Sequence, residues 1–164
     1  MIISKKNIAA VLTAAFVFCA PVFSQSGGGT KAALNVVKPV TTDKDLVIPI
    51  AEITSNATFY PVDIDGTRLE VIAVKAADGS IRTAFNTCQV CYGSGRGFYK
   101  QDGTVLVCQN CGNRFRMNQV EVKSGGCNPV PIFPANKTVS ADTITISKEF
   151  LTKAKGIFAR WGRS

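Results

Sequence analysis

The sequence contains no histidine. That absence excludes the Ser-His-Asp triad, the Cys-His dyad and every zinc or haem site built on imidazole. Acidic residues are few, 11 Asp and Glu against 19 Lys and Arg, and there is a single tryptophan. No apolar run reaches the length that a bilayer-spanning helix needs. Charged residues make up 18% of the chain and hydrophobic residues 46%, the balance of a folded domain and not of a disordered one. The net charge of +8 invites a nucleic-acid reading. The basic residues are scattered, however, with no basic run and no aromatic stacking motif among them, so nucleic-acid binding is not expected.

What is present begins with an address. Residues 1–24 read as a secretory signal: Lys5 and Lys6 form a positive start, Ile8 to Phe18 an apolar centre, and Val22 and Ser24 supply small residues before a cut at Gln25. Lys5-Lys6 is not a twin-arginine pair, which predicts export of an unfolded chain. Removing the segment takes Lys5, Lys6 and Cys19 with it, which leaves 17 basic residues, a charge of +6 and five cysteines. The protein is expected in the periplasm or on the outer face of the cytoplasmic membrane, with an uncleaved N-terminal anchor as the alternative.

Residues 25–45 begin Ser-Gly-Gly-Gly-Thr and read as a flexible linker. Residues 46–146 carry β texture. Leu46 to Ile53 is a candidate edge strand, since Pro49 cannot donate to a ladder. Asp65-Gly66, Asp78-Gly79 and Asp102-Gly103 are hairpin signals, and Thr143 to Ile146 alternates as a half-buried strand does. Residues 147–164 change period. Phe150, Leu151, Ala154, Ile157, Phe158 and Trp161 share one helical stripe, with Ser147 as N-cap. This C-terminal amphipathic helix is expected to pack on the sheet; contact with a membrane surface is the sharper alternative.

The cysteines carry the chemistry. Cys88-Gln-Val-Cys91 and Cys108-Gln-Asn-Cys111 are two Cys-x-x-Cys pairs on either side of a hairpin that turns at Asp102-Gly103. A two-residue spacer lets both thiolates of a tight loop face one ion, and two such loops place four sulfurs around one centre. Gly93 and Gly112, one or two residues past each pair, are candidates for positive φ or for close backbone approach to sulfur. Phe85, Tyr92, Phe98, Tyr99 and Phe115 are candidates to shield the centre, and Arg96, Arg114 and Arg116 to offset its negative charge. Three readings stay open: iron or an iron–sulfur cluster, structural zinc, or disulfides. Five thiols leave one without a mate, which counts against the last. Cys127 lies in Gly125-Gly-Cys-Asn-Pro-Val-Pro131 and reads as a buried small residue, an additional ligand or a reactive thiol. Cys108→Ser is expected to abolish metal binding and Cys127→Ser to spare it.

Ala84-Phe-Asn-Thr-Cys-Gln-Val-Cys91, Gly97-Phe-Tyr, Val107-Cys-Gln-Asn-Cys111 and the Gly125 to Pro131 stretch together resemble the C-terminal domain of FtrD-like membrane iron–sulfur-containing proteins. The resemblance implies Cys88, Cys91, Cys108 and Cys111 as ligands of iron or of a two-iron, two-sulfide cluster, with zinc as the alternative. It also implies a partner in an iron-permease system or a redox partner at the membrane. The order of knuckle, hairpin, knuckle and Gly/Pro-rich loop is similar, more weakly, to a Rieske domain, with Cys91 and Cys111 near where its histidines would stand.

The expectation is therefore a small, mainly antiparallel β domain of Rieske, rubredoxin or zinc-ribbon character with a C-terminal α-helix. Its function would be metal or iron–sulfur binding outside the cytoplasm and one-electron transfer linked to high-affinity iron uptake. A zinc-stabilised interaction module and a thiol–disulfide oxidoreductase are the alternatives. No catalytic acid, base or nucleophile is visible, so an enzyme is the less favoured class.

Overall fold

A computed structural model describes residues 35–162. The expected signal segment and the first part of the expected linker lie outside the described residues. The fold is mainly β. Its centre is an antiparallel meander of β4 (Thr58–Ile64), β5 (Thr67–Lys75) and β6 (Ile81–Cys88). Asp65 and Gly66 both take positive φ, 47° and 73°, as a two-residue hairpin turn requires.

Successive residues of a strand face opposite sides, and here both sides are apolar. Tyr60, Val62, Leu69, Val71 and Phe85 belong to one core, while Phe59, Ile72, Val74, Ala84 and Cys88 belong to another. The first face is covered by a sheet in the order β11 (Thr138–Val139), β12 (Thr143–Ile146) and β3 (Leu46–Pro49). β3 is an edge strand that ends in Pro49, as its proline requires. The second face is covered by β7 (Tyr99–Asp102), β8 (Val105–Cys108) and β9 (Arg114–Arg116), and this second core holds the sulfurs.

Part of the stretch read as a flexible linker is ordered. β1 (Val36–Val37) and β2 (Thr41–Thr42) pair in parallel with β4. The outer edge of β4 offers unpaired backbone groups, and two short β-branched runs on either side of Pro39 take them up. On the opposite edge β10 (Pro129–Pro131) pairs antiparallel with β6, and Pro129 faces Cys88.

The C-terminal helix is shorter than its apolar stripe suggested. α1 spans Lys148–Lys153, and a 3₁₀ turn continues over Lys155–Phe158. Ser147 caps it, its hydroxyl accepting the Phe150 N–H at 3.2 Å. Gly156 favours a break in the helix, and the tighter turn lets Phe158 and Trp161 both reach the core. Phe150 stacks on Phe85 at 5.7 Å between ring centroids, and the Trp161 indole donates to the Asn86 carbonyl at 2.9 Å. The stripe packs on the first core, so it is not the lipid-facing surface that the membrane alternative needed.

Candidate metal centre

Each Cys-x-x-Cys pair sits where a strand ends. Cys88 closes β6 and Cys108 closes β8. In both loops the two backbone N–H groups at the second and third following positions face the leading sulfur: Val90 and Cys91 face Cys88, and Asn110 and Cys111 face Cys108. Gly112 takes φ 73° and donates its N–H to the Cys108 carbonyl at 2.9 Å. In the first loop the positive φ falls on Gly95 and not on Gly93. Gly97 is the residue of close approach: a Cβ there would stand 2.6 Å from the Cys91 carbonyl carbon, while the Gly97 carbonyl accepts the Cys88 N–H at 2.6 Å.

The pairing of β10 with β6 carries Cys127 to the same place. Gly125 and Gly126, both with positive φ, turn the chain just before it. The Gln89 N–H donates to the Asn128 carbonyl at 3.1 Å, the Gly125 N–H donates to the Gln89 side chain, and the Asn113 amide donates to the Cys127 carbonyl at 2.6 Å. Residues within or just after each knuckle therefore latch the Cys127 loop onto both.

The Cys127 sulfur lies 3.3 Å from Cys88, 3.8 Å from Cys91 and 2.9 Å from Cys111. The sulfurs of Cys88, Cys91, Cys108 and Cys127 all fall within 4.8 Å of one another. None of the five described cysteines is in a disulfide. Cys88, Cys91 and Cys108 are buried, Cys127 is half-buried and Cys111 is exposed. A cavity of about 250 Å³ opens beside Cys127, with Asn113, Gln119 and Lys123 on its wall.

Electrostatics separates the sulfurs. Burial pushes the Cys108 thiol up to about 12 and also raises Cys91 and Cys127. Cys111 is pulled down to about 7 by its hydrogen bond with Cys127 and by the Asn113 N–H. Burial also acts to raise Cys88, but the Tyr99 hydroxyl, the two knuckle N–H groups and Cys127 outweigh it, and the net shift is downward.

Of the aromatics expected around the centre, Tyr99 and Phe115 pack in the sulfur core. Phe85 points into the opposite core, Phe98 packs against Trp161, and Tyr92 is exposed. Strand alternation explains Phe85, since it is three residues from Cys88 and so on the other face. Arg96, Arg114 and Arg116 are exposed, and Arg114 pairs with Asp102 at 2.9 Å.

The loop before Cys127 is anchored by charge. Lys137 and Glu121 form an ion pair at 2.5 Å with side-chain exposures of 3% and 11%. Thr83 adds its backbone N–H to the Glu121 carboxylate at 2.7 Å. Glu121→Gln strands the buried ammonium, and breaking such a pair costs about 3 kcal/mol or more. Chemical denaturation should show that loss, and Lys137→Met combined with Glu121→Gln should recover part of it.

The family model of FtrD-like membrane iron-sulfur containing proteins matches residues 52–158, well over half of the chain, and the chain belongs to that family. No curated protein and no solved structure matches it; the likeness to Rieske domains therefore gains no support. Among the described residues no helix is long and apolar enough to cross a membrane.

Proposed function

We propose that this protein is an exported iron or iron–sulfur protein that passes single electrons in the service of high-affinity iron uptake at the membrane. One observation carries the reading: four cysteine sulfurs from three loops stand within 4.8 Å of one another, in a family of iron–sulfur proteins. Cys88, Cys91 and Cys108 are the proposed ligands from the two knuckles. The resemblance gives the fourth place to Cys111; the proposal gives it to Cys127, supported by the closeness of the Cys127 sulfur to the other three, with Cys111 as an outer sulfur beside it.

The donor set fits the group. Metal–sulfur bonds of 2.3 Å arranged as a tetrahedron put sulfurs about 3.8 Å apart, close to the separations found. A two-iron cluster holds its thiolate pairs on opposite sides and needs a wider cage, so the compactness favours one ion. Iron held by thiolates supplies a one-electron couple. The chain's own part is to bury three of the sulfurs, aim backbone N–H groups at two of them, and leave Cys111 at the surface as the near point for a partner.

The same compactness favours a second reading, structural zinc. Metal analysis of protein purified without oxygen, with visible absorption and an EPR spectrum after reduction, separates the two. A colourless protein holding one zinc ends the electron-transfer proposal. A thiol–disulfide role would use Cys111 and Cys127, the exposed low-lying thiol and its 2.9 Å neighbour, and thiol counting in metal-free protein tests it.

Affinity should rise with pH. At neutral pH the metal-free Cys108 thiol, held near 12, keeps its proton, and an incoming ion must displace it. Each proton so displaced steepens the dependence by about tenfold per pH unit. Competition titrations between pH 6 and 8 check the slope; a flat profile would mean the thiols are already ionised.

A further inference from the structure

Among the described residues three buried side-chain oxygens lack a hydrogen-bond partner: Tyr60 Oη, Thr87 Oγ1 and Tyr99 Oη. A buried hydroxyl without a partner is costly, so each asks for an explanation. Tyr99 is fully buried in the sulfur core, and on the β7–β8 ladder it stands opposite Cys108. Its hydroxyl faces the Cys88 sulfur without reaching hydrogen-bond geometry, and it also feels Cys108 and Cys127. Its backbone is fixed from both sides: the Tyr99 N–H donates to Asn86 Oδ1 at 2.7 Å, and the Tyr99 carbonyl accepts from Asn86 Nδ2 at 3.2 Å. The ring is thus held with its one donor aimed at sulfur.

We propose that Tyr99 is a positioning residue of the metal centre, its hydroxyl donating a hydrogen bond to the Cys88 thiolate once an ion is bound. A neutral thiol is a poor acceptor, whereas a metal-bound thiolate is a good one, so the bond forms on loading. It drains charge from that sulfur and lowers its donor strength toward the metal. Tyr60 is the natural comparison. It also has a buried, unpartnered hydroxyl, but it lies on the opposite face of the sheet in the other core.

The inference rests on the metal-site reading, and the test keeps the two apart. Cobalt(II) is the probe, added to wild type, Tyr99→Phe and Tyr60→Phe in the full chain. The sulfur-to-cobalt charge-transfer band of Tyr99→Phe should move to longer wavelength, because a thiolate without a hydrogen bond gives up charge more readily. Cobalt affinity should fall about tenfold, as for loss of other outer-shell partners, because the lost hydrogen bond to the bound thiolate outweighs the gain in donor strength. Tyr60→Phe should leave band and affinity unchanged. Metal-free Tyr99→Phe should be as stable as wild type or more so, since it removes an unsatisfied group. If the Tyr99→Phe band coincides with wild type, the proposal is wrong. If both tyrosine variants shift alike, the effect is general packing and the proposal is equally wrong. Failure of wild type to bind cobalt at all would overturn the metal-site reading and this inference with it.

Discussion

Cys127→Ser is expected to weaken metal binding at least a hundredfold, and Cys111→Ser by about tenfold. This reverses the ordering that the sequence alone suggested, in which the two knuckle pairs hold the ion and Cys127 is spare. The reason is placement. Cys127 is the sulfur that touches both knuckles, at 3.3 Å from Cys88 and 2.9 Å from Cys111. Cys111 is exposed and lies outside the group of four that share a 4.8 Å sphere of separations. Structural zinc binding to thiolate sites is worth ~10–16 kcal/mol, so an even share for one of four ligands is ~3 kcal/mol, or more than a hundredfold. A serine hydroxyl is a poor substitute for thiolate on a soft or borderline ion. Loss of Cys111 should cost less, because it removes an outer sulfur and leaves the four-sulfur set whole. Zinc or cobalt competition against a coloured chelator measures both. Equal affinities for Cys127→Ser and wild type, with a large loss for Cys111→Ser, would return the fourth place to the knuckle.

How far the site could be read from the sequence follows from which features are local. The two Cys-x-x-Cys loops are local: a spacer of two residues, a strand before and a glycine after fix the direction of both sulfurs, and the Asp102-Gly103 turn brings the loops together. Ser147 as N-cap, Pro49 at a strand end and Asp65-Gly66 as a turn are local in the same sense. Cys127 is not. Its place depends on β10 finding the edge of β6, a pairing 39 residues distant in sequence between Cys127 and Cys88, and no short-range pattern announces it. The misplacement of Phe85 has a different origin. Phe85 lies three residues before Cys88 on the same strand, and strand parity sends the two to opposite faces. At the linker and the helix, tertiary context overrides local texture: an open edge of β4 recruits Val36–Val37 and Thr41–Thr42, and packing of Phe158 and Trp161 favours a tight turn over continued α-helix.

Metal removal should loosen one side of the molecule and spare the other. The first core, from Leu46 and Ile48 through Tyr60, Val71 and Phe85 to Leu151 and Phe158, contains no cysteine and is closed by α1 and the β3–β12 pair. The second core includes Cys88, Cys91 and Cys108 among its buried members. Around it, residues 89–97 and 109–128 have little ladder structure: β9 is three residues long, and the rest is turns and two three-residue 3₁₀ segments, tied by hydrogen bonds such as Asn113 to Cys127. Without an ion, the sulfurs 2.9–3.8 Å apart lose the attraction that holds them together, and any that ionise repel. Local opening there need not disrupt the first core, because the cost of opening is set by the contacts each region loses. Chelation should therefore raise amide hydrogen exchange at least a hundredfold across residues 89–97 and 109–128, while β4 and β5 keep their protection. The change corresponds to only ~3 kcal/mol of the ~10–16 kcal/mol that thiolate sites supply, the remainder being offset by residual packing of Tyr99, Leu106 and Phe115. Exchange that accelerates equally on both sides of the central sheet would show the two cores to be one cooperative unit. Exchange that does not change at all would show that the sulfur loops stand without an ion.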